Sequence, residues 1–226
     1  MKRIAIALLL TLVAVGAQAE TIFDLQTGLV PEDTIVSVFG VTVTAAAYNG
    51  VFVAEAPFAG YNGIWVYTGG DLGYVPGDIL DIEGAMYVEY NGLSELNATA
   101  AEVVISMTGA GPVPAPNAMT AAELNADPEI WESCMITVTD GMMVTEILSY
   151  GEWIATAESG EIVTFDDTWY DDTTVALDDC YNSATGILYY SFGVFKLEAF
   201  VDGIELTDCT VDAEDHSFGT VKALYR

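Results

Sequence analysis

Basic residues are nearly missing from this chain. Its 226 residues hold 5 Lys and Arg against 34 Asp and Glu, a formal net charge of −29 at pH 7. Two of the five bases are Lys2 and Arg3. Residues 20–226 therefore carry only Lys196, Lys222 and Arg226 against all 34 acids, a net of −31. Phosphate backbones are bound largely through Lys and Arg, so this balance disfavours nucleic acid as a partner. Histidine is scarcer still: His216 stands alone near the end. It cannot complete a Ser-His-Asp triad in the body of the chain, and no H-E-x-x-H, G-x-S-x-G or P-loop pattern occurs. With so many acids, close carboxylate pairs arise by chance and do not point to glycoside hydrolysis. The chain is expected not to be an enzyme. Long apolar runs are absent beyond the first twenty residues, so no membrane span is expected there.

The exception is the start. Lys2 and Arg3 precede an apolar run from Ile4 to Gly16, and Ala17-Gln18-Ala19 follows. A basic region, a short apolar stretch and an A-x-A site read as a cleaved signal peptide over residues 1–19. The expected destination is the cell exterior, its surface or the periplasm. Export permits a disulfide. The three cysteines are Cys134, Cys180 and Cys209. Cys134 lies within an apolar strand pattern and reads as a buried thiol, which leaves Cys180 and Cys209 as the preferred pair.

The whole chain is rich in apolar residues, at 52%, and beyond residue 19 these alternate with acids. Period-two alternation belongs to half-buried strands. The chain also repeats itself at an offset of about one hundred residues. "NGVFVAEAPFAGYNGIWVYTGG" (49–70) has its counterpart in "GEWIATAESGEIVTFDDTWYDD" (151–172). "GDILDIEGAMYVEYNGLSEL" (77–96) has its counterpart in "DDCYNSATGILYYSFGVFKL" (178–197), with Gly84 set against Gly186 and Leu96 against Leu197. Each copy holds about five short strands separated by Gly, Asn and Asp turns, and no β–α alternation. An all-β chain of two tandem, small, five-stranded OB-fold-like barrels is expected, with a β-sandwich as the alternative. The expected bounds are 20–108 for the first domain and 128–209 for the second. Between them, over 109–127, a proline-rich connector leads to a short helix opened by the capping pattern Thr120-Ala-Ala-Glu123. The segment "ESCMITVTDGMMV" (132–144) is expected to open the second copy as one strand. Residues 210–226 form a tail.

Several of these segments resemble OB-fold domains that accompany secreted bacterial nucleases and related exported proteins. Ile22, Asp24, Leu25 and Gln26 match an I-x-D-I-Q opening, and Gly40, Val41 and Thr42 match the end of the strand after it. "GYNGIWVYTGG" (60–70), "WESCMITVTDG" (131–141) and "GILYYSFGVFKLEAFVDGIE" (186–205) are similar to later strands of that family. Asp178-Asp179-Cys180 departs from its Gly-Asp pattern. The resemblance implies an accessory module without chemistry of its own, since fold does not carry activity. The ending "SFGTVKALYR" (217–226) is similar to short C-terminal endings of exported bacterial proteins, which implies a sorting signal.

Two candidate sites follow. An OB barrel binds oligonucleotides or oligosaccharides on the face of its second and third strands. Trp65 and Tyr67 in the first copy and Trp153 in the second are placed on that face. Tyr87, Tyr90 and Tyr189 are placed on the following hairpins, beside Lys196, the one base in the body of the chain. Given the charge, an oligosaccharide or a protein outranks nucleic acid. An accessory nucleic-acid-binding module acting with a secreted nuclease is the alternative, and a self-assembling extracellular structural subunit is the third reading. The second candidate is the loop "FDDTWYDD" (165–172), where Asp166, Asp167, Asp171 and Asp172 offer hard oxygen ligands suited to Ca²⁺, the one cofactor the sequence raises.

Overall fold

A computed structural model describes residues 19–209. The chain enters through a short helix, α1 (Ile22–Gln26), capped by Thr21, whose Oγ1 accepts the Asp24 N–H at 3.0 Å. Five strands then close the first barrel: β1 (Thr34–Ala47), β2 (Gly50–Ala54), β3 (Gly63–Tyr67), β4 (Asp78–Tyr90) and β5 (Leu93–Asn97). Their order is β1-β2-β3-β5-β4, and β4 returns to pair with β1. Every pairing is antiparallel except β3 with β5, which is parallel. A sixth strand, β6 (Val104–Ala110), lies along the outer edge of β4.

The second barrel repeats this circuit with two changes. Its opening strand is split, so "ESCMITVTDGMMV" is not one strand but β8 (Met135–Val138) and β9 (Met142–Ile147), with a turn at 139–141. β10 (Trp153–Ala157) and β11 (Ile162–Asp166) form the next hairpin. β12 (Cys180–Ser191) and β13 (Val194–Thr207) complete the ring. β11 pairs with β13 in parallel, as β3 does with β5, and β12 returns to β8 and β9. β13 does the work of both β5 and β6. Its first half pairs with Gly186–Ser191 and its second half with Cys180–Ala184.

The ladders correct the alignment of the copies. Leu96 opposes Tyr87 and Leu197 opposes Leu188, a constant offset of 101. Gly84 therefore corresponds to Thr185, and Gly92 to Gly193. The corresponding pairs are Asn91-Gly92 (φ 56° and 89°) and Phe192-Gly193 (φ 51° and 87°). Positive φ at both central residues is the type I′ turn of a two-residue hairpin. Gly186 has a different reason to be glycine: a Cβ there would meet the Glu198 carbonyl oxygen.

Between the barrels the proline-rich stretch is shorter than its sequence bounds. β6 runs to Ala110, and β7 (Asn117–Met119) already pairs in parallel with β8 of the second sheet. Residues 111–116 alone are irregular. The helix α2 (Ala121–Ala126) carries a complete capping box between Thr120 and Glu123. Each barrel has its own core. Val51, Val53, Ile64 and Val66 point into the first, and Trp153, Ala155, Val163 and Phe165 into the second. Cys180 and Cys209 are joined, with Cα atoms 5.5 Å apart, while Cys134 is free and buried.

Candidate functional site

The outer face of β2 and β3 holds Phe52, Trp65 and Tyr67. Their neighbours one place along point inward, so strand alternation puts these three outside the barrel. They are nevertheless not open to ligand. Phe52 and Trp65, with Ala45 and Leu93, form a third apolar cluster with Met135 and Ile187 of the second barrel, flanked by Tyr67, Trp169, Tyr189, Tyr190 and Phe200. Phe52 lies 4.5 Å from Trp65, 5.8 Å from Tyr189 and 6.0 Å from Trp169, centroid to centroid. The expectation that Trp65 and Tyr67 present a stacking surface is corrected: the second barrel covers it. Tyr189 belongs to the same seam. Burial, reinforced by Glu198, Glu95 and Glu132, pushes its hydroxyl up to about 12.

Polar contacts fasten this seam. The Tyr61 N–H donates to the Ile130 carbonyl at 2.6 Å. Asn117 Nδ2 donates to the Phe58 carbonyl at 3.0 Å. The Ser94 N–H donates to Glu132 Oε1 at 3.0 Å. Gly63 lies so close to the Ser133–Cys134 backbone that any side chain would collide. Burial raises the Glu132 carboxyl to about 8 and the Cys134 thiol to about 11. Glu132 Oε2 and Gln26 Oε1 are both buried and, among the described residues, without a hydrogen-bond partner.

Trp153 and Tyr87 require a stronger correction, because both face inward. Trp153 opposes Phe165 as Val51 opposes Val66, so it occupies an inward position. It is 1% exposed and stacks on Phe165 at 5.2 Å. On the outer face of β11, Thr164 and Asp166 stand where β3 has Trp65 and Tyr67. The hydroxyl of Tyr87 lies inside the first barrel, 3.1 Å from the Leu25 carbonyl and 2.7 Å from Glu89 Oε1. Tyr90 alone of the hairpin tyrosines is exposed.

Lys196 is not a ligand-groove base either. Its ammonium is buried, 2.6 Å from Glu152 Oε1 and 3.0 Å from Asp166 Oδ2. Burial alone would lower its pKa, but the two carboxylates outweigh burial and raise it. Replacing Lys196 by Met would leave both carboxylates without their cation. Since each keeps some solvent, the expected loss is about 2 kcal/mol, below the range for a fully buried pair. A urea melt at pH 7 measures it.

The same ion pair takes Asp166 out of the acidic loop. Asp171 is engaged as well, its carboxylate accepting from the Thr173 N–H at 3.1 Å. Asp167 has its pKa raised by burial, then by Asp166 and Asp172. Among the described residues, no group of three or more His, Cys, Asp or Glu side chains is placed to hold a metal ion.

What the loop does supply is Trp169. Its Nε1 donates across the seam to the Ala46 carbonyl at 2.9 Å, and its ring lies 5.4 Å from Phe200. Two hollows meet at this indole, sharing Ala46 and Trp169. One, about 470 Å³, is apolar, with Pro76, Val113, Phe200 and Val201 in its walls and Asp202 at its rim. The other, about 440 Å³, is more polar and runs past Tyr48, Tyr74, Asp71 and Thr168. Together they make one groove along the barrel boundary, with aromatic rings and carboxylates and, among the described residues, no basic side chain in its walls. Tyr48 at its mouth is 83% exposed. Sequence reasoning missed this groove, because Trp169 sat among aspartates that drew attention to calcium.

No family model matches the sequence, and no curated protein matches it. Among solved structures the chain is similar to fission yeast Pot1, crystallised with ssDNA. The identity is 11% and the TM-score 0.32, over 92% of this chain and 93% of that one.

Proposed function

We propose that the protein is an exported, non-catalytic binding module that takes an oligosaccharide in the groove between its two barrels. One observation carries this reading: among the described residues, the groove combines aromatic rings with carboxylates and has no basic side chain. Binding sites are largely apolar clefts with a few polar groups that set orientation. Sugar C–H faces suit Trp169 and Tyr48, and sugar hydroxyls can donate to Asp71 and Asp202. The volumes suit a short oligosaccharide. A phosphate backbone would enter against the charge of the whole molecule and meet no Lys or Arg among the described residues of the groove. The leader-like start and the disulfide support export.

The test is a glycan array, followed by titration of any hit, with single-stranded DNA at low salt as the comparison. The chain is expected to bind a neutral glycan saturably. Trp169→Ala is expected to lower affinity at least about 10-fold, the loss of a stacking contact of ~1.4 kcal/mol. Tyr48→Ala, at an exposed position, should weaken binding without changing the melting temperature. Saturable DNA binding lost in Trp169→Ala would replace this reading with that of a nucleic-acid accessory module. Silence on both would remove the sugar reading.

A further inference from the structure

Two aromatic side chains stand almost fully exposed on the second barrel, Tyr150 at 94% and Phe192 at 95%. Each precedes a glycine in a turn where both residues have positive φ: Tyr150-Gly151 at 66° and 83°, Phe192-Gly193 at 51° and 87°. Asn, Asp and Gly suit that backbone, and a bulky aromatic adopts it at a cost. The first barrel carries Asn91 where the second carries Phe192. The first barrel's turn is also covered, since a Cβ on Gly92 would meet the Tyr190 ring, whereas one on Gly193 would meet no described residue. The turns themselves do not call for these rings. Residues 210–226, where a sorting signal is expected, lie outside the described residues.

The two turns are fastened to each other. Lys196 Nζ lies 5.7 Å from the centroid of the Phe192 ring. The same ammonium pairs with Glu152, two residues after Tyr150. The Asp167 carboxylate packs on Gly151, in the space a Cβ would take. Ile147 and Val194, each about half exposed, add apolar surface at the feet of the turns. No side chain from Cys180 to Phe195 is charged. The floor, by contrast, is acidic. Lys196 is the one base among the described residues, and Glu152 and Asp166 engage it. Asp172 lies close enough to help push the Asp167 carboxyl up, and neither has a cation among the described residues.

Projecting rings over surplus carboxylates repel an anionic partner and suit a cationic one. A guanidinium answers both features, because it stacks on aromatic faces and pairs with carboxylates. The molecule already makes such a contact once, with the Lys196 ammonium held by the Phe192 ring, Glu152 and Asp166. The charge of the whole chain draws a basic partner from a distance. We propose that Tyr150 and Phe192 form a two-pronged docking surface for an arginine-rich segment of a partner protein. This surface shares no residue with the inter-barrel groove and does not depend on that groove's ligand.

The test titrates octa-arginine into the full chain at physiological salt, about 0.15 M, with octa-lysine as the charge-matched comparison. Saturable binding is expected, tighter for octa-arginine, since guanidinium stacks on rings more readily than ammonium. Tyr150→Asn/Phe192→Asn should weaken octa-arginine about 10-fold, the loss of two cation–ring contacts. Tyr90→Asn, which removes another exposed ring, should leave the affinity unchanged. Tyr150→Asn alone should raise the melting temperature by about 2–4 °C, because Asn accepts the backbone of the turn. A clear fall in melting temperature would show that the ring holds the fold and would overturn the proposal. Equal affinity in the native chain and the double variant would reduce the binding to bulk charge and overturn it too, as would no octa-arginine binding at all. Vesicles of neutral phosphatidylcholine form the last arm. Vesicle binding lost in the double variant, with no such loss for the peptide, would replace the partner segment with a lipid surface.

Discussion

Glu132→Gln is expected to make the protein more stable at pH 8.5, by on the order of 4 kcal/mol, and to leave it nearly unchanged at pH 4. The reason is the position of the carboxyl. Glu132 is 1% exposed at the seam, its Oε1 takes the Ser94 N–H, and its Oε2 has no donor among the described residues. Burial raises its pKa from 4.5 to about 8, and Glu129 and Glu89 push in the same direction. The folded protein therefore keeps this proton through a range in which the unfolded chain has lost it. The unfolded state then binds fewer protons, so stability falls as pH rises, by about 1.4 kcal/mol per unit between roughly pH 4.5 and 8, and levels off above. Glutamine retains the acceptor for Ser94 and brings an amide N–H₂ where Gln26 Oε1 lacks a donor among the described residues. Glu132→Ala is the contrasting variant. It leaves the Ser94 N–H unpaired and should destabilise at low pH, where Glu132→Gln does not. Urea melts across pH 4–9 check both. Parallel pH profiles for wild type and Glu132→Gln would sink the assignment.

Trp153→Ala is expected to cost about 3–5 kcal/mol, the range for emptying a large aromatic site in a core. The indole stacks on Phe165 at 5.2 Å and contacts the Tyr170 ring at 5.9 Å. No solvent stands ready to fill the space. Trp65→Ala removes a similar area but acts on the seam, so it should also uncouple the barrels and split the melting transition in calorimetry. Trp153→Ala should instead lower the second barrel's transition and leave the first in place. Trp153→Phe, which keeps an inward ring, should preserve any groove ligand. Loss of binding in that variant, with the fold intact, would restore Trp153 as a contact residue and contradict its inward position.

These two tryptophans show where the sequence was legible. The alternation of apolar and acidic residues, and the second copy of the pattern, carried the two barrels, because period-two spacing is a property of the strand itself. Which face a residue joins depends on register, and a shift of one residue reverses it. Trp65 on β3 and Trp153 on β10 were both assigned to the outer face, yet the ladders put one outside and the other inside. The same single-residue slip set Gly84 against Gly186. The docking of one barrel on the other is less legible still. It depends on Gly60, Gly63 and Gly92 being small enough for the second barrel to approach, and on Trp169 reaching the Ala46 carbonyl. Contacts between segments 70 to 123 residues apart leave no local spacing to read. The split of β8 from β9 at Thr139–Gly141 had a local sign, Asp140-Gly141, that the strand pattern overrode.

The bond between Cys180 and Cys209 has a mechanical consequence. It closes the start of β12 onto the chain just after β13, across 29 residues. If one end of the protein is held and the other pulled, tension passes through the sulfurs and bypasses the longest hairpin. About 100 Å of contour length, at roughly 3.3–3.6 Å per residue, never pays out while the bond is intact. The first barrel has no such bypass and would yield along its full length, so an oxidised molecule under load would lengthen mainly from its N-terminal half.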